Sequence, residues 1–70
     1  MDSTIAVALD GRPRQVAAGT TLALLLANLR YEPCAVATAV NGRFVARSLR
    51  ERFELHDGDS VLLFQPIAGG

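Results

Sequence analysis

The chain has no lysine and no tryptophan, a single cysteine, a single histidine and no net charge. Each shortage closes off a class of function. With Cys34 alone, an intramolecular disulfide and a thiol-rich metal site are both excluded. An isolated cysteine usually behaves as a small apolar side chain, so Cys34 is expected in the interior. His56 lies in His56-Asp57-Gly58-Asp59, a polar turn, with no second imidazole to orient it. It reads as a solvated turn residue rather than a base or ligand. Seven arginines balance seven acidic residues, and the two signs are interleaved along the sequence. That balance argues against nucleic-acid binding, which needs a basic face. No run approaches the ~20 apolar residues that a bilayer-crossing helix needs. Met1-Asp2-Ser3-Thr4 shows no basic segment leading into an apolar one, as a signal peptide would. The expectation is a soluble cytoplasmic protein with no membrane partner. The missing lysines have two readings. One is an arginine-favouring genome. The other is a carrier whose activated acyl end meets no amine of its own.

What is present is core material. Half of the 70 residues are hydrophobic, enough for one small domain. A domain of this size buries only about 60% of its unfolded surface, so its stability is modest. Thr4 to Leu9 alternates, with Ile5, Val7 and Leu9 on one face, which predicts a strand. Asp10-Gly11 is a hairpin dipeptide. Pro13 follows in a return strand over Arg14 to Ala17, where proline marks a sheet edge. The period then changes. Leu22, Leu25, Leu26 and Leu29 fall at i, i+3, i+4 and i+7, the stripe of an amphipathic helix. Thr20 or Thr21 caps it, and the bias of the residue before Pro33 against helical angles ends it. Leu24 lies off the stripe, at the helix edge or exposed. Ala35 to Val40 predicts a strand, Asn41-Gly42 a second hairpin turn and Arg43-Phe44-Val45 its partner. Ser48-Leu49-Arg50-Glu51 fits a capping box opening one short helical turn. Ser60 to Phe64 is the last strand, apolar at four consecutive positions like a central strand. One of its side-chain pairs packs on the helix. The other pair meets no second layer in so short a chain, and an uncovered apolar patch marks a partner surface. The elements assemble most simply as an α+β domain, one helix across one mixed sheet, with a parallel pairing somewhere in it.

The sequence closes on Gln65-Pro66-Ile67-Ala68-Gly69-Gly70. Pro66 has no N–H for a ladder and should release the chain from the sheet. Gly69 and Gly70 lack Cβ atoms, so another backbone can approach closely. Fully extended, the five residues after Gln65 reach roughly 16–18 Å, enough to enter a partner's active site. The bland alternative is a frayed end. The expected division is a domain over 1–64 and a mobile tail over 65–70.

Neither a Ser/His/Asp set, a phosphate-cradling glycine loop nor a metal-ligand cluster is present, so the body is not expected to be an enzyme or to hold a metal. The chemically promising group is a glycine carboxylate. As a free anion it is a poor acyl donor. Adenylation supplies a leaving group and makes the carbonyl carbon electrophilic. Attack by sulfur then gives a thiocarboxylate, and attack by an amine gives an amide. The residues alone point to an activated carrier or a modifier, without choosing between them.

The block from His56 through Leu63-Phe64-Gln65-Pro66 to Gly70 resembles the end of the thiamin-biosynthesis sulfur carrier family, ThiS. Ala17-Ala18-Gly19-Thr20-Thr21-Leu22 and Val40-Asn41-Gly42 with Val45 support the likeness over essentially the whole chain. The resemblance implies a β-grasp, ubiquitin-like fold: about five strands in a mixed sheet with one main helix across one face. It implies that an E1-like enzyme uses ATP and Mg²⁺ to adenylate Gly70. A persulfide, charged by a cysteine desulfurase, then makes the thiocarboxylate, and thiazole synthase takes the sulfur for thiamin. The carrier would hold no cofactor itself. Gly69, Ala68, Ile67 and Pro66 would thread into the partner, Val61 and Leu63 would face the helix, and Leu62, Phe64 and Phe44 would form the outward docking patch. The small subunit of molybdopterin synthase, a lysine-conjugated ubiquitin-like modifier and a plain interaction domain with an inert tail are the rival readings.

Overall fold

The computed structural model describes residues 3–32 and 34–65. Five strands form one sheet: β1 (Thr4–Leu9), β2 (Arg12–Ala17), β3 (Ala37–Val40), β4 (Arg43–Val45) and β5 (Ser60–Phe64). Their spatial order is β2-β1-β5-β3-β4. The predicted parallel contact falls between β1 and β5, and the other pairings are antiparallel. The last strand in sequence is thus the central one. Helix α1 (Leu22–Asn28) lies over one face, and a 3-10 helix over Arg47–Arg52 packs beside it.

Both hairpin turns form as their dipeptides require. Asp10 and Gly11 have φ of 50° and 83°, and Asn41 and Gly42 have 54° and 83°. Two consecutive positive φ values give the type I′ turn, whose twist matches that of the strands it joins. The return strand starts at Arg12, two residues before its predicted start, because the tight turn lets Arg12 pair at once with Leu9. Pro13 lies opposite Ala8, whose N–H points away from β2, to the Asp59 carbonyl at 2.8 Å. Pro13 therefore presents its missing donor to the outer edge. There it costs no ladder bond and blunts strand addition.

Thr21 is the residue that caps α1, its hydroxyl accepting the Leu24 N–H at 3.2 Å. The helix ends before Pro33 can act. Arg30 adopts φ 64°, its N–H bonds the Ala27 carbonyl, and the Tyr31 N–H bonds the Leu26 carbonyl. This is a Schellman closure with arginine in the left-handed position that glycine usually takes. Leu24 is exposed.

The capping box at Ser48 does not form. The cap of the 3-10 helix is Ala46, which makes no side-chain cap bond, and Ser48 lies inside the helix. The segment after it is instead tied to the start of α1. The Leu22 N–H donates to the Phe53 carbonyl and the Leu55 N–H to the Thr20 carbonyl. Those bonds fix the helix against the chain, and Val7, Leu22, Leu25, Val40, Leu55 and Val61 close the core between helix and sheet. Each such side chain contributes about 1.5–3 kcal/mol on burial.

Candidate partner-docking face

The strand at the middle of the sheet has two unlike faces. Val61 is fully buried and Leu63 packs partly against the same core. Leu62 and Phe64 point the other way, 38% and 50% exposed. The continuous apolar run of β5 therefore reflects one face that is covered and one that is bare. Register extends the bare face across three strands. Ala39 of β3 sits opposite both Leu62 of β5 and Phe44 of β4, so the three side chains form a row. Phe44 is 71% exposed, and Ala39 between its larger neighbours is buried. Ala37 opposite Phe64 adds a second row. The structure thus brings together Leu62, Phe64 and Phe44. Gly70, Gly69, Ala68, Ile67 and Pro66 lie outside the described residues.

The base of β5 is held by a side-chain clamp. Asp59 accepts the His56 N–H on one carboxylate oxygen and the Asn41 side-chain amide on the other, at 2.8 and 2.9 Å. Asn41 in turn accepts the Ser60 N–H. Asp57 accepts the Ala6 N–H at 2.8 Å. His56 is exposed, as a turn residue should be. The polar turn is a fastening of β5 to β1 and to the second hairpin. At the far end of β5 the Leu63 N–H donates to Asp10 Oδ1 at 3.1 Å, beyond the last paired residue of β1.

Two polar residues were not legible as structural anchors. Thr38 is fully buried and Arg50 is 4% exposed. Arg50 Nε donates to Thr38 Oγ1 at 3.1 Å, Nη2 donates to the Val36 carbonyl at 2.6 Å, and Thr38 Oγ1 donates to the Val45 carbonyl at 2.9 Å. Burial pushes the Arg50 guanidinium below its ordinary pKa. Arg47 adds to that shift and Cys34 opposes it. The available signal was Thr38 itself: a hydroxyl on the inward face between Val36 and Val40 requires a partner.

Cys34 is exposed, contrary to its expected burial. It precedes β3 in the connection from α1 and accepts a hydrogen bond from Arg47 Nη1. A polar partner at the surface replaces the apolar packing that would draw a thiol inward. Among the described residues, no group of three or more His, Cys, Asp or Glu is placed to hold a metal ion. No helix among them is long and apolar enough to cross a membrane.

A mixed five-stranded sheet grasping one helix, with a bare apolar face on its outer side, defines a β-grasp domain of the ubiquitin-like class. The ThiS family model matches residues 4–70, and the chain belongs to that family. A protein of Escherichia coli (strain K12) named sulfur carrier protein ThiS is 38% identical over 64 residues, covering 91% of this chain and 97% of that protein. The crystal structure of thiamine biosynthesis protein ThiS from Geobacter metallireducens matches with a TM-score of 0.83 at 25% identity, covering 94% of this chain and all of that one. A ubiquitin from Caldiarchaeum subterraneum shares the fold, with a TM-score of 0.54 at 19% identity and full coverage of both chains.

Proposed function

We propose that this chain, a sulfur carrier of the ThiS family, takes up sulfur on Gly70 and delivers it for the thiazole ring of thiamin. The observation that carries the reading is the bare face of β5. Leu62 and Phe64 lie on the last strand, and Phe64 is six residues before Gly70 in the sequence, so a partner gripping the face holds the chain within a short reach of its reacting end. Binding the body while the reacting end is placed elsewhere converts docking energy into positioning.

In this reading the carrier supplies the acyl group and its partners supply the catalysis. An E1-like enzyme brings ATP and Mg²⁺. The Gly70 carboxylate attacks the α-phosphorus, and pyrophosphate leaves. A persulfide, whose sulfur comes from a cysteine desulfurase, attacks the acyl carbon and AMP leaves. A thiol then cleaves the sulfur–sulfur bond of the acyl disulfide, leaving the thiocarboxylate. Thiazole synthase takes that sulfur. The carrier holds no cofactor at any step and is a co-substrate rather than an enzyme.

The test is intact-mass analysis of chain purified from its own cells, with and without deletion of the gene. The reading requires a fraction heavier by the exchange of one oxygen for sulfur, and a requirement for thiazole after deletion. Adducts of the chain on other proteins would instead make it a modifier. A molybdopterin defect without thiazole auxotrophy would assign the sulfur to the rival pathway.

A further inference from the structure

We propose that Asp10 is a positioning residue of the carrier: by holding the Leu63 N–H, its carboxylate fixes the last residues of β5, and with them the relation between the docking face and the reacting end. This rests on the carrier reading above. β5 outlasts its neighbour on one side. β1 pairs with it at Ala8–Ser60 and Leu9–Val61, whereas β3 pairs with it as far as Ala37–Phe64. The rungs on the β1 side follow the slanted order of a parallel ladder, the Ala8 N–H donating to the Asp59 carbonyl and the Asp10 N–H to the Val61 carbonyl. The next rung in that order would join the Leu63 N–H to the main-chain carbonyl of Asp10. Asp10 is already in the type I′ turn, with φ of 50°, and the main chain there is leaving for β2. The Leu63 N–H is taken by Asp10 Oδ1 instead, at 3.1 Å. One side chain replaces the rung that the turn removed.

The turn itself does not demand a carboxylate. Asn, Asp and Gly all suit the first central position of a type I′ turn, and the second hairpin has Asn41 there. What the side chain adds at position 10 is an acceptor aimed at another strand. Leu63 stands between Leu62 and Phe64, the two residues of the bare face, and Phe64 is six residues before Gly70 in the sequence.

A strand end held along one edge can hinge about that edge, and one held along both has a single heading. β3 supplies one hold at Ala37–Phe64, and Asp10 supplies the other one residue earlier. The consequence falls on rate rather than grip. Leu62, Phe64 and Phe44 remain on the bare face without Asp10, so the partner still binds the body. The acyl group, however, must meet its reacting partner at near-attack distance, and a misplacement of about 1 Å costs up to about 100-fold. Asp10 thus acts through Leu63 on kcat and leaves KM to the docking face.

The experiment uses the full chain and the E1-like adenylating enzyme of the same organism, following pyrophosphate release against carrier concentration, with amide hydrogen exchange of the carrier alone. Asp10→Gly keeps a turn-compatible Gly-Gly pair and removes the acceptor. It is expected to lower kcat roughly tenfold with KM within about twofold of wild type, and to speed exchange of the Leu63 N–H roughly tenfold while Phe64 stays protected. Asp10→Asn keeps an acceptor oxygen in the same place and should restore all of these. Asp10→Glu keeps the charge but moves the acceptor by a methylene, so its kcat should fall below that of Asp10→Asn, a comparison that holds even if Asp10→Gly fails to fold. Asn41→Gly makes the matching change in the other hairpin, where Asn41 accepts the Ser60 N–H at the start of β5. It should lower the melting temperature at least as far as Asp10→Gly and leave kcat unmoved. An unchanged kcat in Asp10→Gly, an equal fall in Asn41→Gly, or an Asp10→Asn chain as slow as Asp10→Gly overturns the positioning role alone. Wild-type chain that releases no pyrophosphate overturns both that role and the carrier reading.

Discussion

Arg50 Nε donates to Thr38 Oγ1 at 3.1 Å, joining the 3-10 helix to the underside of β3. The same guanidinium reaches the Val36 carbonyl, and Thr38 passes the connection on to Val45 in β4. A charged side chain thus stands where a small domain would otherwise need more apolar mass. Replacing Arg50 by Ala strands buried acceptors and removes the packing of its methylenes. The expected loss is about 2–4 kcal/mol. In a domain this small that lowers the melting temperature by roughly 10 °C or more, read by calorimetry.

Phe64→Asp should separate binding from folding. The side chain is half exposed and its neighbours on the bare face are Ala37 and Leu62. Stability should fall by less than about 1 kcal/mol, the range of strand propensity. Affinity for the adenylating partner should fall at least about tenfold, as for an aromatic anchor. A variant that unfolds in circular dichroism would mean the faces of β5 are reversed.

Deleting Gly70 should abolish sulfur loading and leave the melting temperature within about 1 °C, because terminal residues seldom carry stability. Mass analysis reads the first and thermal denaturation the second. A large loss of stability would make the terminal segment part of the fold.

Asp59→Ala removes the acceptor for both the Asn41 amide and the His56 N–H. The expected cost is about 1–2 kcal/mol. Hydrogen exchange should quicken first at Ser60 and in the Asn41-Gly42 hairpin, which share the clamp. Uniform acceleration across α1 would contradict a local fastening.

Thr21→Ala tests the choice between the two threonines. Loss of the bond to the Leu24 N–H should cost about 1 kcal/mol. Thr20 is engaged differently, its hydroxyl donating to the Ala17 carbonyl at 2.6 Å. Thr20→Ala with the larger helical loss would reverse the assignment.

The strands, both hairpins and the helix follow from short-range rules. Asp10-Gly11 and Asn41-Gly42 accept positive φ, and Leu22, Leu25 and Leu26 share a stripe whatever surrounds them. The two faces of β5 were legible for a similar reason, since alternation must put Leu62 and Phe64 opposite Val61, but which pair is bare followed only from the family resemblance until the core was seen. Tertiary structure decided what depends on distant neighbours. It set β5 between β1 and β3, drew Arg50 inward to Thr38, and left Cys34 at the surface beside Arg47. The stop of α1 at a left-handed Arg30 and the cap at Ala46 are local features that the residue types there do not announce. Local pattern fixes which way a side chain points along its own element. Whether that direction meets apolar mass, a hydrogen-bond partner or water is settled only when the elements pack.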